Sequence, residues 1–562
     1  MPEHSAAAAR WLAEFERALR AADAAPLEAL FRADAHWRDL LAFTWRVKTA
    51  SGAGRILAAL KRCANESGAS GFEIDPGRTP PRRVVRAGTD VIEAIFRFRT
   101  ARGRGSGVLR LVPEGEGWKG WTLLTALDEL EGLEERAAPR GAEPDPDVLI
   151  VGGGHAGLSI AARLKALGVD ALIVDRHARV GDNWRKRYQA LTLHNQKQVN
   201  HFPYRPFPAD WPTYIPKDRL ADWLEDYAGK LQLDFRTGTE LCGAAYEAGR
   251  WTAELRGRGG ARTLRPRHIV MATGVSGIPN MPDVPGLASF AGRVMHSHEY
   301  VGATEWAGRD AIVIGTGTSG HDIAQDLHSS GARVTLVQRS PTLVLNIEPS
   351  AQLVYSLYSE GPPLEDCDLI TASVPLALLR KAHRAWAEQS KKLDAPLLEG
   401  LTRAGFRLDE EDETGWQFKY LERGGGYYFN VGCSDLIVGG KIPVVPMQDI
   451  EGFAAEGART KNRVIPADLV VLATGYLGLD ALLLRLFGEA IAGRVGPVWG
   501  FDEEKQELRN MWTRTAQPGL WFIAGSFAQC RIYSKYLALQ IKAVEEGLIP
   551  DVIPRADLEA VA

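Results

Sequence analysis

The sequence has few cysteines, and no two of them are close neighbours along the chain. Among its 562 residues there are five, Cys63, Cys242, Cys367, Cys433 and Cys530. A redox-active dithiol or a structural zinc site needs ligands a few residues apart, as in CxxC. The spacing argues against both, so we expect no metal site and five buried cysteines that pack as small apolar residues.

The sequence also lacks a long apolar run and a strong charge of either sign. Its most apolar stretch, residues 469–491, contains Asp480, Arg485 and three glycines, which argues against a membrane-spanning helix. The first 30 residues lack the apolar centre of a secretory signal. A net charge of −3 gives no reason to expect nucleic acid or an anionic membrane as a partner. We therefore expect a cytoplasmic protein.

Glycine, in contrast, is abundant and forms two similar turns, each after a short apolar run. The first turn, VGGGHAG, follows the run 148–151, and the next apolar run ends at Asp175. This order predicts a βαβ unit in which Gly152 makes the tight turn, Gly154 admits a pyrophosphate and Gly157 lets helix pack on strand. An acid at the end of the second strand is typical of a site for a ribose 2′-hydroxyl.

The second turn, IGTGTSG, repeats this plan but differs at the end of its second strand. Gln338 stands where the first unit has Asp175, and Arg339 follows it. A carboxylate would repel a 2′-phosphate, whereas a guanidinium binds it through paired hydrogen bonds. We therefore assign FAD to the first unit and NADPH to the second; the alternative is that Arg339 is a solvated surface residue. The residues predicted to contact NADPH are Gly315, Gly317, Ser319, Gly320, Gln338, Arg339 and Ser340.

The N-terminal quarter of the chain has a different pattern. Apolar residues recur at helical spacing up to about residue 60, and strand patterns follow between residues 84 and 124. Helices followed by a curled antiparallel sheet predict an α+β cone, and the segment around His36 and Asp39 resembles cone domains of the nuclear transport factor or polyketide cyclase type. That resemblance implies an acid or base role for His36 or Asp39 in a cavity. Alternatively, the unit docks or dimerises and walls the neighbouring site.

These patterns predict an α/β protein with two Rossmann-like dinucleotide-binding domains, preceded by an α+β cone-like domain. A charged, proline-containing run, 131–146, is the predicted linker. We expect a largely helical insertion at about 341–435, which is long for a loop and is a candidate substrate lid. The predicted boundaries are 1–140 for the N-terminal domain, 141–279 and 476–555 for the two parts of the FAD domain, and 280–475 for the NADPH domain.

Several further motifs occur in order with the two turns. They are GDNWRKRY at 181–188, LTLHN at 191–195, ATG at 272–274, FAGRVMHSHEY at 290–300 and ATGY at 473–476. Together they resemble the class B flavoprotein monooxygenases, specifically flavin-containing monooxygenases of a bacterial type with an N-terminal cone-like domain. The resemblance covers about residues 147–545, and the FxGxxxHSxxY string is its most specific part. It implies a homodimeric, NADPH-dependent enzyme that forms a flavin C4a-(hydro)peroxide from dioxygen and oxygenates small sulfur or nitrogen nucleophiles.

The resemblance also implies roles for individual residues. Asn195 lies within one residue of the family's asparagine beside flavin C4a, where an amide can donate to the peroxide and accept from N5–H; alternatively, it only forms a turn. His296 and Tyr300 are candidate catalytic residues, with a role in holding the hinge between the domains as the alternative. The flavin-covering loop and the LHN motif supply three further cofactor contacts, Trp184, Arg185 and His194.

Two departures from the family pattern bear on the reaction. The linker motif of the Baeyer–Villiger branch ends in Trp-Pro or Trp-Asp, but here Tyr300 is followed by Val301. Thr318 replaces the usual asparagine of the second turn. The first departure favours heteroatom oxygenation, while ketone oxidation stays open. The alternatives are a Baeyer–Villiger or indole-pyruvate-type monooxygenase and a non-catalytic flavin redox sensor, and the intact second turn argues against the sensor.

Overall fold

The structure, a computed structural model, describes residues 3–21, 23–115, 117–135, 145–275 and 277–552. Residues 136–144 of the predicted linker lie outside the described residues. In the described part, an N-terminal α+β unit is followed by two parallel sheets, and each parallel sheet contains one of the glycine turns.

The N-terminal unit places three helices against a seven-stranded sheet. Its elements are α1 (Glu3–Ala21), α2 (Ala24–Ala29), β1 (Phe31–Leu40), β2 (Val47–Ser51), α3 (Ala53–Ser67), β3 (Ser70–Ile74), β4 (Arg82–Arg86), β5 (Thr89–Thr100), β6 (Gly103–Glu114) and β7 (Gly117–Leu130). The strands pair in the order β2-β1-β7-β6-β5-β3, and β4 pairs with β5. The prediction of helices followed by an antiparallel sheet is wrong in two respects: β1 and β2 precede α3, and β1 runs parallel to β7. The strands β1 and β7 are distant in sequence, so no hairpin fixes their relative direction.

Aromatic rings fill the space between α1 and this sheet. Trp11 and Phe15 of α1 stack with their ring centroids 5.2 Å apart. Phe72 and Phe98 stack at 5.0 Å, and Phe15 meets Phe72 edge to face at 5.3 Å. Because these side chains are all buried, the interior of the unit is a packed core.

The two polar residues singled out in this unit are engaged by their neighbours. Asp39 accepts hydrogen bonds from the hydroxyls of Thr44 at 2.6 Å and Thr125 at 2.7 Å. Burial raises the pKa of Asp39 to about 6, although these hydrogen bonds act in the opposite direction. Nδ1 of His36 lies 2.7 Å from the Ser51 hydroxyl oxygen. These contacts favour the docking interpretation of the unit over the acid–base interpretation.

The remaining elements follow in chain order. Residues 145–275 form β8 (Val148–Val151), α4 (His155–Ala166), β9 (Ala171–Val174), α5 (Asp182–Arg185), α6 (Lys217–Lys230), β10 (Asp234–Arg236), β11 (Thr239–Glu247), β12 (Arg250–Gly257), β13 (Gly260–Leu264) and β14 (His268–Met271). Residues 277–440 form β15 (Ile278–Pro279), β16 (Arg293–His296), β17 (Asp310–Ile314), α7 (Thr318–Ser329), β18 (Arg333–Gln338), β19 (Leu343–Asn346), α8 (Leu364–Ala372), α9 (Leu376–Leu393), α10 (Ala395–Arg403), α11 (Trp416–Arg423), β20 (Tyr427–Asn430) and α12 (Cys433–Val438). Residues 441–552 form β21 (Val444–Pro446), β22 (Ile450–Ala454), β23 (Gly457–Thr460), β24 (Val464–Pro466), β25 (Leu469–Leu472), β26 (Tyr476–Leu477), α13 (Leu479–Val495), β27 (Phe501–Asp502), β28 (Glu507–Leu508), β29 (Leu520–Phe522) and α14 (Phe527–Glu545). Short 3₁₀ helices span Lys197–Val199, Leu287–Ser289, Thr304–Trp306, Ser350–Ser359 and Met447–Asp449.

Two five-stranded parallel sheets carry the glycine turns. The first has the order β10-β9-β8-β14-β29, and the second has the order β16-β25-β17-β18-β21. The chain passes from the first sheet to the second after β14 and returns after β25. The two connecting segments meet each other, because β15 pairs antiparallel with β26. The crossovers therefore form one short ribbon between the sheets.

All five cysteines are free, and four of them are buried as the sequence predicts. The prediction is wrong for Cys242, which is exposed, because it lies on β11 at the edge of the sheet β11-β12-β13. Over the described ranges, no helix combines the length and apolarity needed to cross a bilayer. The same ranges contain no group of three or more His, Cys, Asp or Glu side chains that could hold a metal ion.

A buried ion pair fastens the N-terminal unit to the rest of the chain. The Arg38 side chain on β1 is 7% exposed and donates two hydrogen bonds to Glu507 on β28, at 2.8 and 2.6 Å. It also donates to the Ala372 carbonyl at 2.5 Å and to the Tyr533 hydroxyl at 3.0 Å. A single β1 side chain thus ties the unit to β28, α8 and α14.

We expect Arg38→Met to loosen this interface, because it leaves the Glu507 carboxylate buried without its counter-ion. Removing one partner of a buried pair costs about 3–5 kcal/mol. Scanning calorimetry should show the variant unfolding at a lower temperature than the wild-type protein. The double variant Arg38→Met, Glu507→Gln should recover part of the lost stability, because it leaves no carboxylate without a counter-ion. A double variant as unstable as Arg38→Met alone would contradict this account.

Candidate active site

In the first glycine turn, close contacts leave no space for a side chain at Gly152 and Gly157. Gly152 has a φ of +107°, and a Cβ atom there would lie 2.5 Å from the Ala272 carbonyl oxygen. A Cβ on Gly157 would lie 2.0 Å from the Gly152 carbonyl oxygen. Gly154 is less confined, because its nearest neighbour would be the Asn183 amide nitrogen at 3.1 Å. Space at this position is what a pyrophosphate approaching the N-terminus of α4 requires.

Asp175 is placed at the end of β9, beside the first turn. Its carboxylate accepts hydrogen bonds from the Gly153 N–H at 2.7 Å and from the His177 N–H at 2.8 Å. Burial acts to raise the pKa of Asp175, but the hydrogen bonds from His177 and Gly153 outweigh it and lower the pKa below its usual value. The ionised carboxylate keeps lone pairs for a ribose hydroxyl.

The second turn repeats the geometry of the first. Gly315 has a φ of +118°, and a Cβ there would lie 2.2 Å from the Ala473 carbonyl oxygen. A Cβ on Gly320 would lie 2.0 Å from the Gly315 carbonyl oxygen, whereas one on Gly317 would meet nothing within 4 Å. Gly317 therefore borders open space at the N-terminus of α7, where a second pyrophosphate fits.

The end of β18 brings together two arginines. Arg339 is exposed, while Gln338 is buried and its side chain exchanges two hydrogen bonds with the backbone of Arg407, at 2.8 and 2.9 Å. The Arg407 guanidinium in turn donates to the Arg339 carbonyl oxygen at 2.5 Å. The predicted cofactor contact of Gln338 is therefore replaced by a structural one. Arg407, which the sequence analysis missed, adds a positive charge beside Arg339.

A cavity of about 750 Å³ borders the second turn and meets the first turn at His155. It takes lining residues from the second turn, from the loop after α5, from the insertion and from the start of α14. Predicted site residues that line it are Trp184, His194, Asn195, Gly315, Gly317, Ser319, Arg339 and Ser340. This arrangement is compatible with a dinucleotide extending from each turn into one shared space.

Asn195 lines this cavity and has two hydrogen-bond partners. Its side-chain amide donates to the Tyr355 hydroxyl at 3.0 Å, and its backbone carbonyl oxygen accepts from the Asn200 side-chain amide at 2.9 Å. Burial raises the pKa of Tyr355 above its usual value, so the phenol stays neutral. An amide has two N–H donors and one acceptor, so Asn195 retains hydrogen-bonding capacity for a ligand.

An aromatic wall contributed by the insertion borders the same cavity. Trp416 and Phe429 meet edge to face at 4.9 Å, and Tyr427 stacks on Phe429 at 5.1 Å. We use the name aromatic wall for Tyr355, Trp416, Tyr427 and Phe429, all of which line the cavity. A shared role for these four residues was not predicted from the sequence, although the aromatic density of the segment 416–429 was an available signal.

Arg185 does not reach the cavity. Its guanidinium donates to the Val180 carbonyl at 2.6 Å, to Asp222 at 2.8 Å and to Glu225 at 3.1 Å. The structure thus assigns Arg185 to the packing of α5 on α6 rather than to a cofactor contact. Trp184, next to it, does line the cavity, with its ring centroid 6.0 Å from that of Phe527.

His296 and Tyr300 are buried and hydrogen-bonded within the protein, and neither lines the cavity. His296 Nε2 lies 3.0 Å from the Gly475 carbonyl oxygen, and burial lowers the pKa of His296, so the neutral ring donates from Nε2. The Tyr300 hydroxyl donates to Asp326 on α7 at 2.7 Å. Both contacts support a role at the crossover between the sheets and give no support to a catalytic one.

Comparison with known proteins places the chain in a family. A family model described as pyridine nucleotide-disulphide oxidoreductase matches residues 149–356, which include both glycine turns. The indole-3-pyruvate monooxygenase YUCCA1 of Oryza sativa subsp. japonica is 33% identical over 335 residues, covering 59% of this chain and 77% of the relative. YUCCA6 of Arabidopsis thaliana is 35% identical over 202 residues, covering 35% of this chain and 48% of the relative.

Solved structures share the fold. A crystal structure of cyclohexanone monooxygenase from Rhodococcus sp. Phi1 bound to NADP+ superimposes with a TM-score of 0.53 at 18% identity, covering 71% of this chain and 85% of that one. At this identity the match establishes architecture only. The family is shown by the sequence relative YUCCA1, 77% of which is covered at 33% identity: the chain belongs to the class B flavin monooxygenases, oxidoreductases that use FAD and NADPH to oxygenate small organic substrates.

Proposed function

We propose that this monooxygenase acts on a small planar aromatic substrate bound against the aromatic wall. The observation that carries the proposal is the presence of these four rings and of Asn195 in one cavity with the second glycine turn. Aromatic side chains stack on planar rings and exclude water from the space they line. Exclusion of water is the main requirement of flavin-dependent oxygen transfer, so the same wall serves binding and chemistry.

Individual roles follow from the contacts of the chain's own residues. In this proposal Gly152, Gly154, Gly157 and Asp175 hold FAD, and Arg339 holds the 2′-phosphate of NADPH. Bound FAD, reduced by NADPH, supplies the activation of dioxygen and the transfer of one oxygen atom. Asn195, oriented by Tyr355, offers a neutral amide that can donate a hydrogen bond without supplying an acidic proton.

The predicted sulfur or nitrogen nucleophile is the first candidate substrate class, and an aryl 2-oxo acid is the second. The second is favoured by Arg187, a half-buried residue of the cavity lining, which forms no ion pair within 4 Å in the described part of the chain, although its charge acts on Asp322. A guanidinium at this place is suited to a substrate carboxylate. The relatives named indole-3-pyruvate monooxygenases support the same class. We further propose that the protein is a homodimer, as the motif resemblance implies, and that it is cytoplasmic.

The assignment of the second turn to NADPH is testable at Arg339. We expect Arg339→Ala to raise the KM for NADPH about ten- to hundredfold, because a charge-assisted hydrogen bond contributes about 1.5–3 kcal/mol. The KM for NADH, which lacks the phosphate, should stay near the wild-type value. Arg403→Ala, at an exposed arginine of α10, is the matched control. An unchanged KM for NADPH in Arg339→Ala would refute the assignment.

The role of Asn195 predicts a specific defect in coupling. In Asn195→Ala we expect product formed per NADPH oxidised to fall about tenfold and hydrogen peroxide to rise correspondingly, the factor for losing one hydrogen bond of about 1.4 kcal/mol. Tyr355→Phe removes only the hydroxyl that orients the amide, so its defect should be smaller and of the same kind. Peroxide and product assays on FAD-loaded enzyme measure both. Normal coupling in Asn195→Ala would leave Asn195 with the role of a turn residue.

A substrate panel separates the two candidate classes. NADPH oxidation and product formation are measured with methyl phenyl sulfide, indole-3-pyruvate and cyclohexanone. If Arg187 binds a substrate carboxylate, Arg187→Met should raise the KM for indole-3-pyruvate about tenfold, the loss expected for one charged hydrogen bond, and leave the sulfide unaffected. Equal effects on both substrates would argue against a carboxylate site at Arg187, and turnover of cyclohexanone alone would argue against the aromatic substrate class.

A further inference from the structure

Helix α8 lies between the N-terminal unit and the cavity. On the side of the N-terminal unit, Asp366 accepts hydrogen bonds from the Arg78 guanidinium at 2.8 Å and from the Thr79 N–H at 2.7 Å. The Asp366 side chain is only 2% exposed. Arg78 and Thr79 lie in the segment between β3 and β4. The N-terminal unit therefore binds α8 through the buried Asp366 carboxylate.

The C-terminal turn of α8 is held by the same unit. The carbonyl oxygen of Ala372 accepts from Arg38, and that of Ile370 accepts from Arg110 at 3.4 Å. The last carbonyls of a helix have no partner within the helix and carry the negative end of its dipole. Arg38 therefore satisfies the Ala372 carbonyl, and Arg110 adds a donor to the Ile370 carbonyl, which also accepts from the N–H and the hydroxyl of Ser373.

On the other side, α8 holds Arg531 of α14. Asp368 receives two hydrogen bonds from this guanidinium, both at 2.7 Å. The remaining Nη1 of Arg531 donates to the carbonyls of Val199 at 2.8 Å and His201 at 2.6 Å. Arg531 is 4% exposed, and these bonds direct it to the loop 195–201 rather than to the cavity.

The loop 195–201 carries the groups that face the cavity. Asn195 and Asn200 both line it, and Asn200 bonds to the Asn195 carbonyl. Because Arg531 bridges the carbonyls on either side of Asn200, its position fixes the backbone from which Asn195 projects.

We propose that the N-terminal unit acts as an intramolecular clamp for oxygen transfer: it fixes α8, and α8 fixes the loop 195–201 through Asp368 and Arg531. The inference rests on the proposed role of Asn195 and assigns a function to a unit that the family motifs, which begin at about residue 147, do not include. Asp368 and Arg531 are positioning residues. The buried arginine contacts suit this task, because charged pairs define an orientation more strictly than apolar contacts do.

The test uses the full-length, FAD-loaded enzyme and two variants on opposite sides of α8, Asp368→Asn and Arg78→Met. Hydrogen–deuterium exchange is followed by mass spectrometry in peptides covering 191–203 and 364–372, and hydrogen peroxide released per NADPH oxidised is measured in parallel. For Asp368→Asn we expect exchange in the loop 195–201 to accelerate about tenfold, the factor for losing one charge-assisted hydrogen bond, together with increased peroxide release. Arg78→Met should accelerate exchange in α8 and in the loop, to a smaller extent.

The matched control is Arg83→Met, since Arg83 lies in the same unit but pairs with Asp90 on the surface. It should leave loop exchange and peroxide release at wild-type values. Loop exchange within about twofold of wild type in Asp368→Asn, even with a lower unfolding temperature, would overturn the clamp, as would an Arg78→Met effect confined to the N-terminal unit. Failure of the proposed function is distinguishable, because the exchange measurement does not depend on turnover.

Discussion

The close approach of each glycine turn to a carbonyl oxygen of the neighbouring strand is the constraint on which this architecture depends. Gly152 faces the Ala272 carbonyl, and Gly315 faces the Ala473 carbonyl, at distances that would place a Cβ atom 2.5 and 2.2 Å from oxygen. Ala272 and Ala473 open the two ATG motifs, where the chain leaves one sheet for the other. The residue that contacts each glycine turn therefore also lies at the point where the chain crosses from one sheet to the other. The second turn and, through His155, the first turn border the same cavity.

Features encoded by local spacing could be predicted from the sequence. The two turns, the helices that follow them and Asp175 at the end of β9 occur where the glycine spacing and apolar runs indicate, because each depends on neighbours within one βαβ unit. The N-terminal sheet was predicted less completely. Its first strand, β1, occupies residues 31–40 and pairs with the last strand of the unit, so no local pattern indicates its direction or partner.

Side-chain roles that depend on distant partners could not be predicted. Gln338 stands at the position that reads a ribose in related folds, but a loop 69 residues away occupies its amide. Arg185 follows a residue that lines the cavity, yet carboxylates on α6 draw it away. Tyr355 reaches Asn195 across 160 residues. In each case the competing partner belongs to a separate element, and only the folded chain brings the two groups together.

Ion pairs formed by arginines connect the N-terminal unit to the rest of the chain, and they define its orientation more than they add to stability. Burying Arg38, Glu507 and Asp366 costs hydration free energy, and the attraction within the ion pairs offsets little more than that cost. An apolar interface of similar size would stabilise the assembly at least as well but would tolerate sliding. Hydrogen-bonded charges lose their compensation when displaced by an ångström or two, so they permit one docking orientation. A unit held in one orientation against α8 is suited to supporting the cavity. A small displacement of α8 would move the loop 195–201, and Asn195 would then lose its hydrogen-bond geometry with a bound ligand.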